Sequence, residues 1–281
     1  MQLWLIFALL AFMCSSISTS IDKYFMNNKK YEPLATSTFK MFFDGIVLLV
    51  IGLIFFRLNF TFNIFLWSLV VGAMYAFLSF SYFLVLKKKN AGTVIPFYDS
   101  TWILFVFLGS LIFLGETANI FNYFGIGLIL LGVYLVLSEK IFERPKLDKV
   151  VLIVFSMVIV ATVYSLLVKK LLVTITPINL AILMYFSSSF FQFIFLMFRK
   201  TKKSINLKSS KIFISAFFGA MSIFLLYTAL TFGKGSQVFP LQGLNSVFVF
   251  LIATFFLKEK LFIHKLIGVM TVFLGIYLVS I

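Results

Sequence analysis

Residues 105–136 and 248–279 are two copies of one segment, "FVFLGSLIFLGETANIFNYFGIGLILLGVYLV" and "FVFLIATFFLKEKLFIHKLIGVMTVFLGIYLV". They align without a gap at an offset of 143, with 14 of 32 positions identical. The matches include Glu116/Glu259, Gly125/Gly268, Gly132/Gly275 and Tyr134/Tyr277. A shared preference for Leu and Phe would give only a few coincidences. Upstream the offset holds with one residue of slack, pairing Pro96 with Pro240 and Pro33 with Pro177. Two copies of an apolar unit with an odd number of spans must lie upside down relative to each other in a membrane. That arrangement recurs in secondary transporters.

The composition places the chain in the membrane. It is 62% hydrophobic and 12% charged, with mean hydropathy +1.11. About 20 apolar residues cross a hydrocarbon core roughly 30 Å thick. Ten spans can be read, at 2–21, 34–56, 63–86, 92–114, 118–138, 150–170, 176–198, 210–231, 235–257 and 261–280. The expected fold is an all-α membrane protein with ten transmembrane helices in two inverted five-helix repeats, residues 1–140 and 150–281. The first span has no Lys or Arg before Lys23, so it lacks the basic start of a cleavable signal peptide and is read as a real span.

The net charge of +15 raises the question of nucleic acid, and its distribution answers it. Loops after odd-numbered spans, taken with Lys211 and Lys265 at the starts of the following spans, hold 19 of the 24 Lys and Arg, including Lys87–Lys89, Arg199, Lys200, Lys202 and Lys203. Loops after even-numbered spans hold four: Arg57, Lys169, Lys170 and Lys234. One-sided basic loops are a topology signal, so no nucleic-acid partner is expected. The rule puts the odd-numbered loops in the cytoplasm and both termini outside. Cys14 is the single cysteine, which excludes an internal disulfide and a thiolate metal cluster. No metal or cofactor is expected.

Gly125 and Gly132, like Gly268 and Gly275, are seven residues apart on one helical face, a packing seam where backbones can approach. Glu116 and Glu259 follow spans 4 and 9 and read as solvated helix ends. Spans 4 and 9 open with "NAGTVIPFYDSTW" and "GKGSQVFPLQGLN". Each places a proline shortly after a glycine, Gly92 with Pro96 and Gly235 with Pro240, and so should start irregularly or kink. Matched interruptions in two halves point to a transporter's binding site.

Away from the span ends, three charged residues fall inside spans. Asp99 lies about 10 Å deep at 1.5 Å per residue, and Asp44 falls near the middle of a roughly 30 Å core. Lys40 precedes Asp44 by one turn on the same face. A charge at that depth normally faces the bundle interior and has a partner. One reading is a self-neutralising Lys40–Asp44 pair; the other is a site for a proton or a solute. Asp99 has Gln242 as its counterpart, so the site would be chemically asymmetric. Tyr82, Tyr98, Trp102, Tyr227 and Asn245 could supply walls and hydrogen bonds, and Ser15–Ser20 and Ser187–Gln192 add softer polar groups.

With these features the chain resembles the EamA-like branch of the drug/metabolite transporter superfamily. The resemblance rests on "FLGE" (Phe113–Glu116) and "FLKE" (Phe256–Glu259), each followed by a span with the "G…LG" pattern. "VIP" and "VFP" in spans 4 and 9 and "IDKYF" (Ile21–Phe25) extend it. It implies export of amino acids, metabolites or drugs, or movement of lipid-linked sugars, through a central cavity between the halves. The chain departs in having Lys258 where the first copy has Gly115, and in loop charges that put the termini outside where many members have them inside.

The leading expectation is a secondary transporter of a small solute, multi-pass in the plasma or inner membrane, with proton coupling as one energy source. It would work as a monomer or homodimer. The alternative is a flippase-like carrier of a lipid-linked phosphosugar, with Lys169, Lys170 and Lys234 attracting phosphate. A remoter one is an intramembrane enzyme, but the lone His264, without a second histidine or HExxH, leaves Ser–His or metal chemistry little to use. Asp44 and Asp99 could form a dyad only if they meet. No Walker motif is present, so energy must come from a gradient, exchange or the solute itself.

Overall fold

Pro33 and Pro177, the paired prolines of the two copies, each occupy the start of a helix. There their missing N–H is no loss and their fixed φ favours the first turn. In a computed structural model of the chain, which describes residues 2–27, 31–87, 91–137, 149–198, 210–257 and 263–280, every described element is helical. The helices are α1 (Leu3–Asn27), α2 (Pro33–Phe55), α3 (Phe62–Lys87), α4 (Ala91–Phe113), α5 (Ile120–Leu137), α6 (Lys149–Leu171), α7 (Pro177–Phe198) and α8 (Ser210–Phe232). The ninth span is broken into α9 (Gly235–Val238), a 3-10 turn (Phe239–Gln242) and α10 (Gly243–Leu257), and α11 (Ile263–Ser280) completes the bundle. Among the described residues six helices are long and apolar enough to cross a membrane, and the apolar stretches Thr101–Phe113, Ile120–Leu135 and Leu266–Ser280 are shorter. Large apolar side chains cover the outside, with Phe113 76% and Phe198 86% exposed. Water would penalise such a surface, and lipid does not.

Two boundaries teach something. The first span was expected to end at residue 21, before Asp22 and Lys23, but α1 continues to Asn27. Asp22 does not end the helix because it is buried there with polar partners. The expected irregular start of span 4 is not seen either: α4 is assigned as continuous helix from Ala91 through Pro96. Only the second half breaks. There Pro240, with no N–H, cannot donate into the helical ladder, and the backbone tightens to 3-10 at that point. Gly115 ends α4 with φ 64, a left-handed conformation that suits glycine. Its counterpart Lys258 lies outside the described residues.

The main interfaces join the two halves. α5 packs on α11, α1 on α8 and α10, α2 and α3 on α7, and α4 on α6. The closest is α5 on α11. A Cβ added to Gly125 would stand 2.6 Å from the Gly275 carbonyl oxygen, and one on Gly132 would stand 2.6 Å from that of Gly268. The earlier residue of α5 meets the later residue of α11, so the two helices run antiparallel.

Candidate functional site

A cavity of about 280 Å3 opens between the halves, lined from α1, α2, α3 and α4 on one side and α6, α7, α8, the 3-10 turn and α10 on the other. Ser15, Ser18, Thr19 and Asp22 reach it from α1. Their spacing of i, i+3, i+4 and i+7 is one helical face, which is how an apolar span presents a polar stripe to the interior.

The ionic side of the cavity is a cluster of three residues. Lys40 Nζ donates to Asp44 Oδ2 at 3.1 Å and lies 4.0 Å from Asp22 Oδ2. Asp44 is fully buried behind Lys40, which faces the cavity together with Asp22. The Ser215 hydroxyl donates to Asp22 Oδ1 at 2.6 Å, and the Ser18 hydroxyl donates to the Ser215 carbonyl at 3.0 Å. α1, α2 and α8 are thus joined by charge and hydrogen bonds where hydrocarbon surroundings make unpaired charges costly. Lys40 and Asp44 are not a closed pair, because Asp22 draws the ammonium toward the cavity. Asp22 escaped sequence reasoning because Lys23 beside it marks a helix end; the Ser15–Ser18–Thr19–Asp22 phase was the available signal.

Asp99 forms a separate centre. Its Oδ2 accepts a 2.9 Å hydrogen bond from the Ser246 hydroxyl of α10, which ties α4 to the opposite half. Tyr98, Trp102, Gln242 and Asn245 line the cavity with it. The repeat-related positions of Asp99 and Gln242 therefore face one space. Trp102 packs edge-on against Phe239 of the 3-10 turn, centroids 6.1 Å apart. Among the described residues, the buried Trp102 Nε1 and Asn245 Oδ1 have no hydrogen-bond partner. Asp44 and Asp99 share no hydrogen-bond partner among the described residues, so the dyad has no support.

Tyrosines make the remaining wall. Tyr164 and Tyr227 hydroxyls meet at 2.5 Å. Tyr75 packs on Tyr164 and edge-on to Tyr185, centroids 5.5 Å and 5.7 Å apart. The Tyr185 hydroxyl donates to the Gly219 carbonyl at 3.1 Å. Tyr82 lines the same space. Tyr75, Tyr164 and Tyr185 were not singled out in the sequence, where they do not stand apart from the other aromatics. The α7 polar run does other work: Ser188, Ser189 and Gln192 donate to the carbonyls of Gly72, Thr38 and Ala76. They fasten α7 to α2 and α3.

At one end of the bundle the structure corrects the reading of Glu116 as a solvated helix end. Its two oxygens accept the backbone N–H groups of Gly235 and Ser236, each at 2.7 Å. A carboxylate there satisfies donors that the first turn of α9 leaves open and complements the helix dipole. Glu259 lies outside the described residues, and the surroundings of Gly92 and Pro96 are likewise not described. Lys169 Nζ donates to the carbonyls of Leu230 and Gly233 at 2.5 and 2.7 Å, and Lys234 to Thr117 O and Oγ1 at 3.0 Å. Lys169 thus holds the end of α8, and Lys234 the link between α4 and α5. Among the described residues no group of three or more His, Cys, Asp or Glu could hold a metal.

Comparison with known proteins agrees with this architecture. The sequence pattern described as the EamA-like transporter family matches residues 2–138 and 148–281. An uncharacterized protein of Methanocaldococcus jannaschii is 35% identical over 83 residues, 28% of this chain; the matched stretch is 61% of the relative's length. A solved crystal structure, 13% identical, superposes with TM-score 0.76 over 97% of this chain and 98% of its own. At that identity the likeness is one of fold.

Proposed function

The chain belongs to the EamA-like transporter family, and on that premise we propose that this multi-pass membrane protein is a secondary transporter of a small solute. The solute would bind in the cavity between the halves and reach either side by alternating access. The observation that carries the reading is the cavity itself: ionisable and aromatic side chains of both halves, Asp22, Lys40 and Asp99 with Tyr164 and Tyr227, face one shared space. Charged groups are held at membrane depth only where they have partners or a use.

The inverted repeat is part of the proposal. α5 and α11 are repeat-related and meet antiparallel at their glycines, which supports a two-fold axis across the helices rather than along them. The ninth span's break beside the cavity gives a place where one half can move against the other. Energy from a proton gradient, and location in the plasma or inner membrane, complete the reading. The lipid-linked phosphosugar alternative has less support: of its three lysines, Lys169 and Lys234 are engaged with backbone carbonyls, while Lys170 is exposed.

The test is transport by the purified full chain in proteoliposomes loaded with a cell metabolite extract. Protein-dependent, saturable exchange of at least one small solute is expected. Translocation of lipid-linked sugars, with no solute exchange, would overturn the reading.

A further inference from the structure

The charges facing the cavity do not balance. Among its described lining residues, Asp22 and Asp99 are acidic and Lys40 alone is basic. Lys40 is already taken, 3.1 Å from Asp44 and 4.0 Å from Asp22. With both aspartates ionised, that cluster carries one negative charge more than positive. Asp99 adds another. It is 4% exposed, is held by the neutral Ser246 hydroxyl at 2.9 Å, and has no cation within salt-bridge distance among the described residues.

The groups beside Asp99 want the same kind of ligand. Asn245, next in the chain to Ser246, faces the cavity, and its buried Oδ1 lacks a donor among the described residues. A ligand with N–H groups and a positive charge would satisfy both acceptors. The rest of the wall is aromatic, with Tyr75, Tyr82, Tyr98, Trp102, Tyr164 and Tyr227 around it. Ring faces attract cations and cover apolar bodies, most strongly where water is excluded. Trp102 Nε1, a buried donor without an acceptor among the described residues, could take a hydroxyl or carbonyl oxygen on that body.

We propose that the solute is an organic monocation, a small amine with an apolar body, bound with its ammonium at Asp99 and Asn245 and its body against the aromatic wall. This names the solute class of the transport site and rests on that reading. A carboxylate or phosphate would enter a field set by two aspartates and find Lys40 occupied, so the site selects against anions. A zwitterion has the same difficulty at one end. A neutral sugar leaves Asp99 without a counter-charge. A bare metal ion needs several oxygen ligands together, and the described residues do not gather them.

The experiment is isothermal titration of the purified full chain in detergent with phenethylamine, benzyltrimethylammonium, phenylacetate and phenylalanine. Both cations should bind, phenylacetate should not, and phenylalanine should bind more weakly than phenethylamine. Asp99→Asn should weaken phenethylamine about ten- to a hundred-fold, the scale of one lost charged hydrogen bond, with its thermal unfolding retained. Asn245→Leu should weaken phenethylamine but spare benzyltrimethylammonium, which has no N–H to donate; this holds as a test even where Asp99→Asn fails to fold. Preference for phenylacetate or phenylalanine, no binding of either cation, or full affinity in a folded Asp99→Asn protein overturns the proposal. Binding requires no movement, so the two readings fail separately. Cation binding without exchange in vesicles counts against transport alone, and exchange of phenylacetate but not of phenethylamine counts against the cation alone.

Discussion

The Glu116 carboxylate, in the link between α4 and α5 of the first half, accepts the N–H of Gly235, the first residue of α9, at 2.7 Å. One side chain thereby holds the broken ninth span in place from the opposite half, since its other oxygen takes Ser236 N–H. Charged hydrogen bonds to backbone donors contribute about 1.5–3 kcal/mol each. Glu116→Ala should therefore destabilise the protein by about 2–4 kcal/mol after partial replacement by water, and Glu116→Gln by less. Thermal unfolding in detergent measures it. An unchanged midpoint for the alanine variant would show that the cap contributes nothing.

Lys40 and Asp44 differ in what their loss leaves behind. Replacing Lys40 with Met strands two buried carboxylates, Asp44 and Asp22. Removing one partner of a buried pair costs about 3–5 kcal/mol. Asp44→Asn instead leaves Lys40 with Asp22. Lys40→Met is expected to lower folded yield and unfolding temperature more than Asp44→Asn. The reverse order, measured by size-exclusion yield and thermal unfolding, would mean that Asp22 does not hold the ammonium.

Two glycines make a sharper comparison. A Cβ on Gly275 would stand 2.6 Å from the Gly125 backbone oxygen, and one on Gly219 would stand 2.5 Å from Lys40 Nζ. Backbone in a packed helix pair cannot retreat, whereas the end of a lysine can. Gly275→Ala should cost about 1–3 kcal/mol or more and part α5 from α11. Gly219→Ala should fold, shift the Lys40 ammonium and slow transport. Equal unfolding temperatures for the two variants would contradict this.

Much of the bundle was legible because its signals are local. Apolar length gives the spans, and the paired prolines give the starts of α2 and α7. The seam of Gly125, Gly132, Gly268 and Gly275 follows from spacing, but not which glycine meets which: the structure pairs Gly125 with Gly275. The site was legible where a charge is conspicuous in apolar sequence, as at Lys40, Asp44 and Asp99. Asp22 was hidden because its burial depends on Ser215 and Lys40, which lie on other helices. Glu116 was misread for the same reason, since its partners come 119 and 120 residues later. Long-range satisfaction of a polar group does not show in its immediate neighbours; for Asp22 the one local trace is the polar phase of Ser15, Ser18 and Thr19 on its own helix.

The loop charges make a prediction about sidedness. Lys88, Lys89 and Lys200–Lys203 lie outside the described residues, so chemistry must place them. With the positive-inside rule, both loops are cytoplasmic and Met1 and Ile281 are outside. Single cysteines in these loops, on a Cys14→Ser background, should resist an impermeant thiol reagent in intact cells and react after permeabilisation. Labelling of the 87–89 loop in intact cells would reverse the orientation.

Asp44 and Asp99 offer the means to separate coupling from structure. Both are buried carboxylates, but Asp44 stands behind Lys40 while Asp99 faces the cavity beside Ser246. A carboxylate that the solute and a proton must occupy in turn links the two movements, because binding of one displaces the other. Asp99→Asn removes that competition and should abolish transport or free it from pH, leaving the fold intact since a buried charge has been neutralised. Asp44→Asn should act through Lys40, lowering the rate while keeping the pH dependence if Asp44 only positions the ammonium. Transport across a range of pH, with both variants reconstituted at equal amounts, distinguishes these roles. Wild-type rates with an unchanged pH profile in both would return the two aspartates to a structural role, and coupling would have to be sought at Asp22, the other carboxylate that faces the cavity.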